Sequence, residues 1–285
     1  MGVDEAAGTR AVGDRRAAVL GSPITHSRSP QLHLAAYQAL GLTGWTYERI
    51  ECTAAALPEI VDGFGPEWAG LSVTMPAKVA ALGYARESTE RAALVGSANT
   101  LTPLPDGGWR ADCTDIDGVA GALRQAGVTS LAGSTAVVLG AGGTARPALL
   151  ALRDLGADSV TILARDPERA RPALELAAVL GFPLRLAGYS AAEVRSACAG
   201  AGAVVSTIPP AAAAAVAENV AVAPVVLDVI YDPWPTPLAT AVARNGGTVV
   251  SGLDMLLHQA FGQVEQFTGL PAPRAAMIAA ALASG

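Results

Sequence analysis

The sequence predicts an α/β fold with mostly parallel sheets in two domains, and three observations carry that prediction. Strand-like apolar runs alternate with helical patterns from Arg16 onward. The segment VVLGAGGTAR, residues 137–146, joins a buried-type strand to a helix through closely spaced glycines. The chain has 285 residues and is 51% hydrophobic, enough for two ordinary domains with a sizeable core.

The elements follow in order. A first strand ends in Val19, Leu20 and Gly21, and residues 29–40 read as a helix with Pro30 in its first position. Residues 46–50 alternate like a strand, 55–64 are helical, and 71–73 form a short strand. A helix over 75–84 is opened by Pro76. Residues 98–103 and 109–111 read as a hairpin around Pro105, Asp106, Gly107 and Gly108. A helix over 117–126 stops at Gly127. Strands then fall near 135–139, 159–164, 184–186, 203–206, 225–229 and 248–250, with the alanine run 211–215 read as helix. Final helices over 253–268 and 272–283 close the chain. Residues 1–16 are expected as a flexible N-terminal tail. Residues 17–126, joined by 253–285, form a substrate and catalytic domain. Residues 127–252 form a Rossmann-type dinucleotide-binding domain, with an open cleft between the two.

Each residue of the glycine segment has a physical task. Gly140 suits the tight turn, Gly142 lets the backbone approach a pyrophosphate, and Ala145 lets the helix lie against the sheet. The helix start offers free N–H groups and a positive dipole end to phosphate. The next strand ends in Ala164-Arg165-Asp166, with Arg169 one helical turn further on. Two guanidinium groups there favour NADP, because their forks match the oxygens of a 2′-phosphate. Asp166 has two readings, a ligand for a ribose 2′-hydroxyl or the N-cap of a helix that Pro167 opens. The Asp-Pro-Glu order favours the cap.

Bulk properties exclude several classes. The net charge is −6 and the isoelectric point about 5.1, with no basic cluster, which argues against nucleic acid as a partner. The mean hydropathy of +0.38 owes much to alanine, and no uncharged apolar stretch suits a bilayer. Residues 1–16 carry Asp, Glu and Arg without the apolar core of a signal peptide. Cys52, Cys113 and Cys198 form no CxxC pair, and His26, His33 and His258 show no metal spacing. A reducing, cytoplasmic setting without metal fits this usage.

Four polar segments before the glycine loop are hard to explain as packing. In GSPITHSRSPQLH, residues 21–33, Ser27 and Ser29 sit between a strand and a helix start, a place suited to a carboxylate; Ser29 could instead only cap the helix. In GLSVTMPAK, residues 70–78, Thr74 and Lys78 fall near one strand end, where ligands bind in open α/β sheets; a lone lysine is otherwise a surface residue. The third is GSANT, residues 96–100. The fourth is ADCTDIDG, residues 111–118, in which Asp115 is placed to pair with Lys78 and either Asp115 or Asp117 is expected to cap a helix.

Taken together, the order SxS, VTxPxK, GxANT, TDxxG, GxGGxxR and GxxMLxxQA resembles shikimate dehydrogenase over about residues 17 to 270. The resemblance implies reversible NADP-linked reduction of 3-dehydroshikimate to shikimate, in the pathway to aromatic amino acids. It implies a monomer or homodimer with a small-molecule substrate. Lys78 and Asp115 match the catalytic pair. Ser27 and Ser29 match the hydroxyls that hold the substrate carboxylate, with Tyr231 as their aromatic helper. Thr74, Asn99 and Gln259 match residues around the ring hydroxyls. Gly140, Ala141, Gly142, Gly143, Thr144, Ala145, Arg165 and Arg169 match cofactor contacts, and Gly252 and Met255 the nicotinamide side. The chain departs from the family pattern at Ser72 and Cys113, where Asn is usual, and at Ala77, where a bulkier residue is usual. The first three departures are expected to adjust packing beside the site. A fourth, Ala164-Arg165-Asp166 in place of Asn-Arg-Thr or Asn-Arg-Ser, bears on cofactor choice. An NAD-linked quinate/shikimate dehydrogenase would share most of these motifs. A non-catalytic dinucleotide-binding regulator would keep the glycines and need neither Lys78 nor Asp115.

Overall fold

The computed structural model describes residues 13–283, which carry two six-stranded sheets. The first sheet uses β1 (Arg15–Gly21), β2 (Trp45–Glu51), β3 (Trp68–Val73), β4 (Glu87–Ser88), β5 (Thr100–Pro103) and β6 (Trp109–Asp112) in the order β2-β1-β3-β5-β6-β4. β3 is buried at every position because strands flank it on both edges and helices cover both faces. β2, at the sheet's edge, alternates between buried and exposed residues over its first half. The helices here are α1 (Ser29–Ala39), α2 (Leu57–Asp62), α3 (Lys78–Tyr84), α4 (Glu90–Val95) and α5 (Asp115–Gln125).

Several expectations for this half need correction. β1 begins at Arg15, inside the segment expected as tail, because Arg15 and Arg16 pair with Trp45 and Thr46; residues 1–12 lie outside the described residues. α3 opens at Lys78 rather than near Pro76, since residues 74–77 close a turn through Ala77 N–H and Thr74 O. α4 was not expected; Thr89 caps it by accepting from Ala92 N–H, and Gly96 ends it. Neither Asp115 nor Asp117 caps α5, whose N-cap position is Thr114. Ser29 is the first helical residue of α1, after Arg28 at the cap position.

The second sheet is wholly parallel. It uses β7 (Thr135–Leu139), β8 (Ser159–Leu163), β9 (Leu184–Ala187), β10 (Ala201–Ser206), β11 (Val225–Asp228) and β12 (Thr248–Ser251) in the order β12-β11-β10-β7-β8-β9. This is the doubly wound arrangement, and its order reverses between β7 and β10, where such sheets open a crevice for ligand. The strands are linked by α6 (Ala145–Asp154), α7 (Pro167–Val179), α8 (Ala191–Ala199), α9 (Pro210–Val220) and α10 (Pro237–Arg244). At the crevice Gly140 has φ +96, and a Cβ there would lie 2.6 Å from Thr207 Oγ1 and 2.8 Å from Ile208 Cγ2. Only glycine fits that turn.

After β12 the chain crosses back. α11 (Gly252–Thr268) starts on a capping box made by Ser251 and Asp254. It buries Leu257, Phe261, Val264 and Phe267 with Ala17, Val19, Leu32, Ala36, Tyr37 and Tyr47 of the first half. α12 (Arg274–Leu282) adds Met277 and Ala281 to the same core.

A buried carboxylate ties four of these elements. Asp112, 4% exposed, accepts from Arg91 Nη2 (2.5 Å) and Nε (2.7 Å), Thr89 Oγ1 (2.7 Å) and Gln266 Nε2 (2.7 Å), while Arg91 also reaches Asp117. Burial alone would push the Asp112 carboxyl up, but the bonds from Arg91 and Thr89 and the Arg91 charge bring it down to about 2. A carboxyl held below its unfolded value of about 4 stabilises the fold above that pH. Its contribution should be lost as pH falls from about 4 toward 2. Asp112→Asn should lower stability at pH 7 by about 1–3 kcal/mol and flatten the acid limb, as read by urea denaturation from pH 6 to 2.

Candidate active site

A cavity of about 240 Å³ opens where the carboxyl ends of β1 and β3 meet the start of α11. Ser27, Ser29, Thr74, Lys78, Asp115, Tyr231, Gly252, Met255 and Gln259, all expected at the site, line it together with Thr144. Ser72 lines it as well, rather than only adjusting packing nearby.

At one wall Lys78 Nζ lies 2.5 Å from Asp115 Oδ2, with side chains 15% and 6% exposed. Lys78 is set there by the turn before α3 and by its carbonyl, which accepts from Ala98 N–H at 2.9 Å. Asp115 is set by Asn99, whose Nδ2 donates to Asp115 Oδ1 at 3.0 Å. The same Nδ2 approaches Thr114 Oγ1 and Gln259 Oε1, while Oδ1 accepts from Thr114 N–H at 2.7 Å and Thr100 Oγ1 at 2.9 Å. Asn99 is 2% exposed and is not among the cavity-lining residues; it sits behind Asp115.

The serine wall is buttressed by one face of β2. Tyr47, Arg49 and Glu51 alternate along that strand and each holds part of the 22–29 segment or its neighbours. Arg49 donates to Ser27 O from Nε at 2.8 Å and Nη2 at 2.6 Å. Glu51 Oε2 accepts from Ile24 N–H at 3.3 Å, and Tyr47 Oη lies 2.6 Å from Ser72 Oγ. The sequence reading missed all three, although their alternation was its only available signal.

The part of the lining around Val229 and Tyr231 depends on Asp228 at the end of β11. Fully buried, it accepts from Thr236 Oγ1 at 2.7 Å and Ile230 N–H at 3.3 Å, and so fixes the loop that carries Tyr231. Burial pushes the carboxyl of Asp228 and the phenol of Tyr231 up. Gly252 packs against this loop so closely that a Cβ would lie 2.1 Å from Val229 O.

The glycine loop and its neighbours fall outside the cavity, except Thr144. Gly142 and Gly143 are exposed, and a Cβ on either would meet nothing within 4 Å. Ala145 is the first residue of α6, beside that open surface. Arg165 is exposed just past the end of β8. Asp166 caps α7, accepting from Glu168 N–H at 3.0 Å and Arg169 N–H at 3.3 Å, with Arg169 Nε 3.6 Å from its other oxygen. Its carboxylate is thus engaged with its own helix. An open glycine surface, a free helix start and the Arg165 guanidinium fit a dinucleotide with a 2′-phosphate.

Comparison with known proteins agrees with this arrangement. Residues 19–101 match the shikimate dehydrogenase substrate binding domain, and residues 252–282 the shikimate 5′-dehydrogenase C-terminal domain. The chain is 38% identical to the shikimate dehydrogenase (NADP(+)) of Methylobacterium radiotolerans, covering 91% of this chain and 93% of that protein. Among solved structures it is similar to Mycobacterium tuberculosis shikimate dehydrogenase, with TM-score 0.89 and 59% identity over 94% of this chain and 99% of that one. It is also similar to shikimate 5-dehydrogenase from Thermus thermophilus in complex with NADP(H) and shikimate, with TM-score 0.78 and 30% identity over 94% and 98% of the two chains.

The position of Asn99 gives a stability expectation. Asn99→Ala would leave the buried Thr114 N–H and Asp115 Oδ1 without their partner. It should lower unfolding stability by about 2–4 kcal/mol, seen as a lower urea midpoint at an unchanged slope.

Proposed function

The chain belongs to the shikimate dehydrogenase family, and on that footing we propose that it reversibly reduces 3-dehydroshikimate to shikimate with NADPH. The observation that carries the reading is the Lys78–Asp115 pair at 2.5 Å, lining one small cavity together with Ser27 and Ser29. An ammonium and a pair of hydroxyls around one cavity suit a ring that carries both a ketone and a carboxylate.

We assign the roles as follows. Ser27 and Ser29 donate to the substrate carboxylate, and the Arg49 guanidinium on Ser27 O adds positive charge behind them. Lys78 stands where negative charge develops on the ring oxygen and gives that oxygen a proton. Asp115 holds Lys78 on one oxygen and, being locked by Asn99 on the other, keeps the ammonium aimed. Thr74 and Gln259 contact ring hydroxyls, and Tyr231 closes over the carboxylate end. Bound NADPH supplies the hydride. Gly140 to Ala145 would cradle its phosphates, Arg165 with Arg169 nearby would take the 2′-phosphate, and Gly252 and Met255 would flank its nicotinamide. In this reading residues 15–126 with the C-terminal helices are the substrate and catalytic unit, and residues 127–252 the NADP unit. No described helix is long and apolar enough to cross a membrane, and three buried free cysteines fit a cytoplasmic setting.

Lys78→Ala should lower kcat by about 10²–10⁴-fold, with a smaller effect on shikimate binding. Steady-state oxidation of shikimate checks this, and a near-normal kcat would remove Lys78 from the proton step. Cofactor choice is a second check. With Asp166 turned into its helix, NADP should be preferred over NAD by at least about tenfold in kcat/KM. Arg165→Ala should weaken NADP and leave NAD nearly unchanged, since only NADP carries the phosphate. Assays of NADP and NAD against shikimate and quinate decide it, and equal use of both cofactors would favour an NAD-linked quinate/shikimate dehydrogenase.

A further inference from the structure

Behind the cavity wall a buried polar chain runs from β2 to α11, and its hydrogen-bond senses can be assigned from one end. Gln263, 1% exposed, places Nε2 2.9 Å from the main-chain carbonyl of Asn99, an atom that only accepts. The amide NH2 therefore faces Asn99, and the amide oxygen faces Ser72. Ser72 donates its single proton to Gln263 Oε1 at 2.8 Å. Tyr47 must then be the donor in its 2.6 Å contact with Ser72 Oγ, because the serine has no second proton. Burial pushes the Tyr47 phenol up, so its oxygen keeps the proton it donates. The ring stacks on His33 with centroids 4.1 Å apart, which restricts its motion. Of these three side chains Ser72 alone lines the cavity. With its proton on Gln263 and one lone pair on Tyr47, it has only a lone pair left to offer.

We propose that Tyr47 and Gln263 are positioning residues that lock Ser72 as a pure hydrogen-bond acceptor, so that its wall takes a substrate hydroxyl and disfavours a carbonyl. The inference rests on the function proposed above and deepens it. Shikimate and 3-dehydroshikimate differ by hydroxyl against ketone at one ring carbon, and both keep two further ring hydroxyls. An acceptor-only wall can take one of those and repels the ketone oxygen. The ketone is left to the Lys78 ammonium, a pure donor. The ring is thus oriented by the sense of its hydrogen bonds as well as by its carboxylate.

Ring-fluoro analogues of shikimate test this, because fluorine replaces a hydroxyl without donating. The readout is the ratio of kcat/KM for shikimate to that for each analogue fluorinated at a ring carbon that is not oxidised. In the unmodified protein the ratio should be at least about tenfold at one ring position. In Ser72→Ala it should fall below about twofold at that position, because that wall then offers the hydroxyl no acceptor. In Tyr47→Phe and Gln263→Met it should fall to about threefold or less, with KM rather than kcat carrying the change. A merely structural role would weaken shikimate and analogue alike and leave the ratio where it was. An unmodified protein that oxidises shikimate with no such penalty, or a penalty unchanged in the three variants, overturns this inference and leaves the function standing. An unmodified protein that does not oxidise shikimate overturns the function and this inference with it.

Discussion

The buried amide of Asn99 is the constraint on which the polar half of the molecule depends. One side chain orders Asp115, Thr114, Thr100 and Gln259, and its own carbonyl accepts from Gln263. These groups lie on three elements, on β5, at the start of α5 and along α11. Buried groups of this kind are expensive to leave unmatched, so the network has one arrangement and resists others. The Lys78–Asp115 pair inherits that rigidity. Without it, a lysine at the start of a short helix would have many rotamers to choose from.

The two ends of the site are built on different principles. The end proposed for the substrate is assembled from side chains whose partners are already satisfied: Arg49 on Ser27, Glu51 on the 24 amide, Asp228 on Thr236. The end proposed for the cofactor is mostly backbone and open space, at Gly142, Gly143 and the start of α6. A small rigid ring is discriminated by fixed hydrogen-bond geometry. A dinucleotide brings its own phosphates, which need little beyond unobstructed N–H groups and one well-placed guanidinium.

How much of this was readable in the sequence follows the same division. Features with a local cause were visible: the parallel strands, the glycine turn, the Asp166 cap, and the residues of the SxS, VTxPxK and TDxxG segments. What escaped was set by tertiary context. Ser72 stands out in the sequence only as a departure from the family's usual Asn, and its partners appear once Tyr47 and Gln263 meet it from elements far away in the chain. α4 is only six residues long and shows no periodic run, although Thr89 and Gly96 mark its ends. The expected cap by either Asp115 or Asp117 failed for a physical reason. Both carboxylates had stronger partners in Lys78 and Arg91, and a charged partner outweighs a backbone N–H at a helix end.

α11 shows why a helical pattern can conceal a site. Gly252, Met255, Gln259, Gln263 and Gln266 recur at intervals of three or four, so they share one side of the helix. On sequence alone such a side reads as core, and its glutamines as interruptions. In the structure the glutamines are its working part: Gln259 and Gln263 meet Asn99, and Gln266 meets Asp112. The helix leaves the parallel sheet at β12 under a capping box and ends in the aromatic core of the other half. Seven residues at about 1.5 Å each separate Gly252 from Gln259, a fixed spacing of about 10 Å between the loop wall and the Asn99 network. A rigid rod anchored at both ends therefore sets the distance between the nicotinamide side assigned to Gly252 and Met255 and the substrate side assigned to Gln259. Hydride transfer between two bound molecules requires that distance to be held.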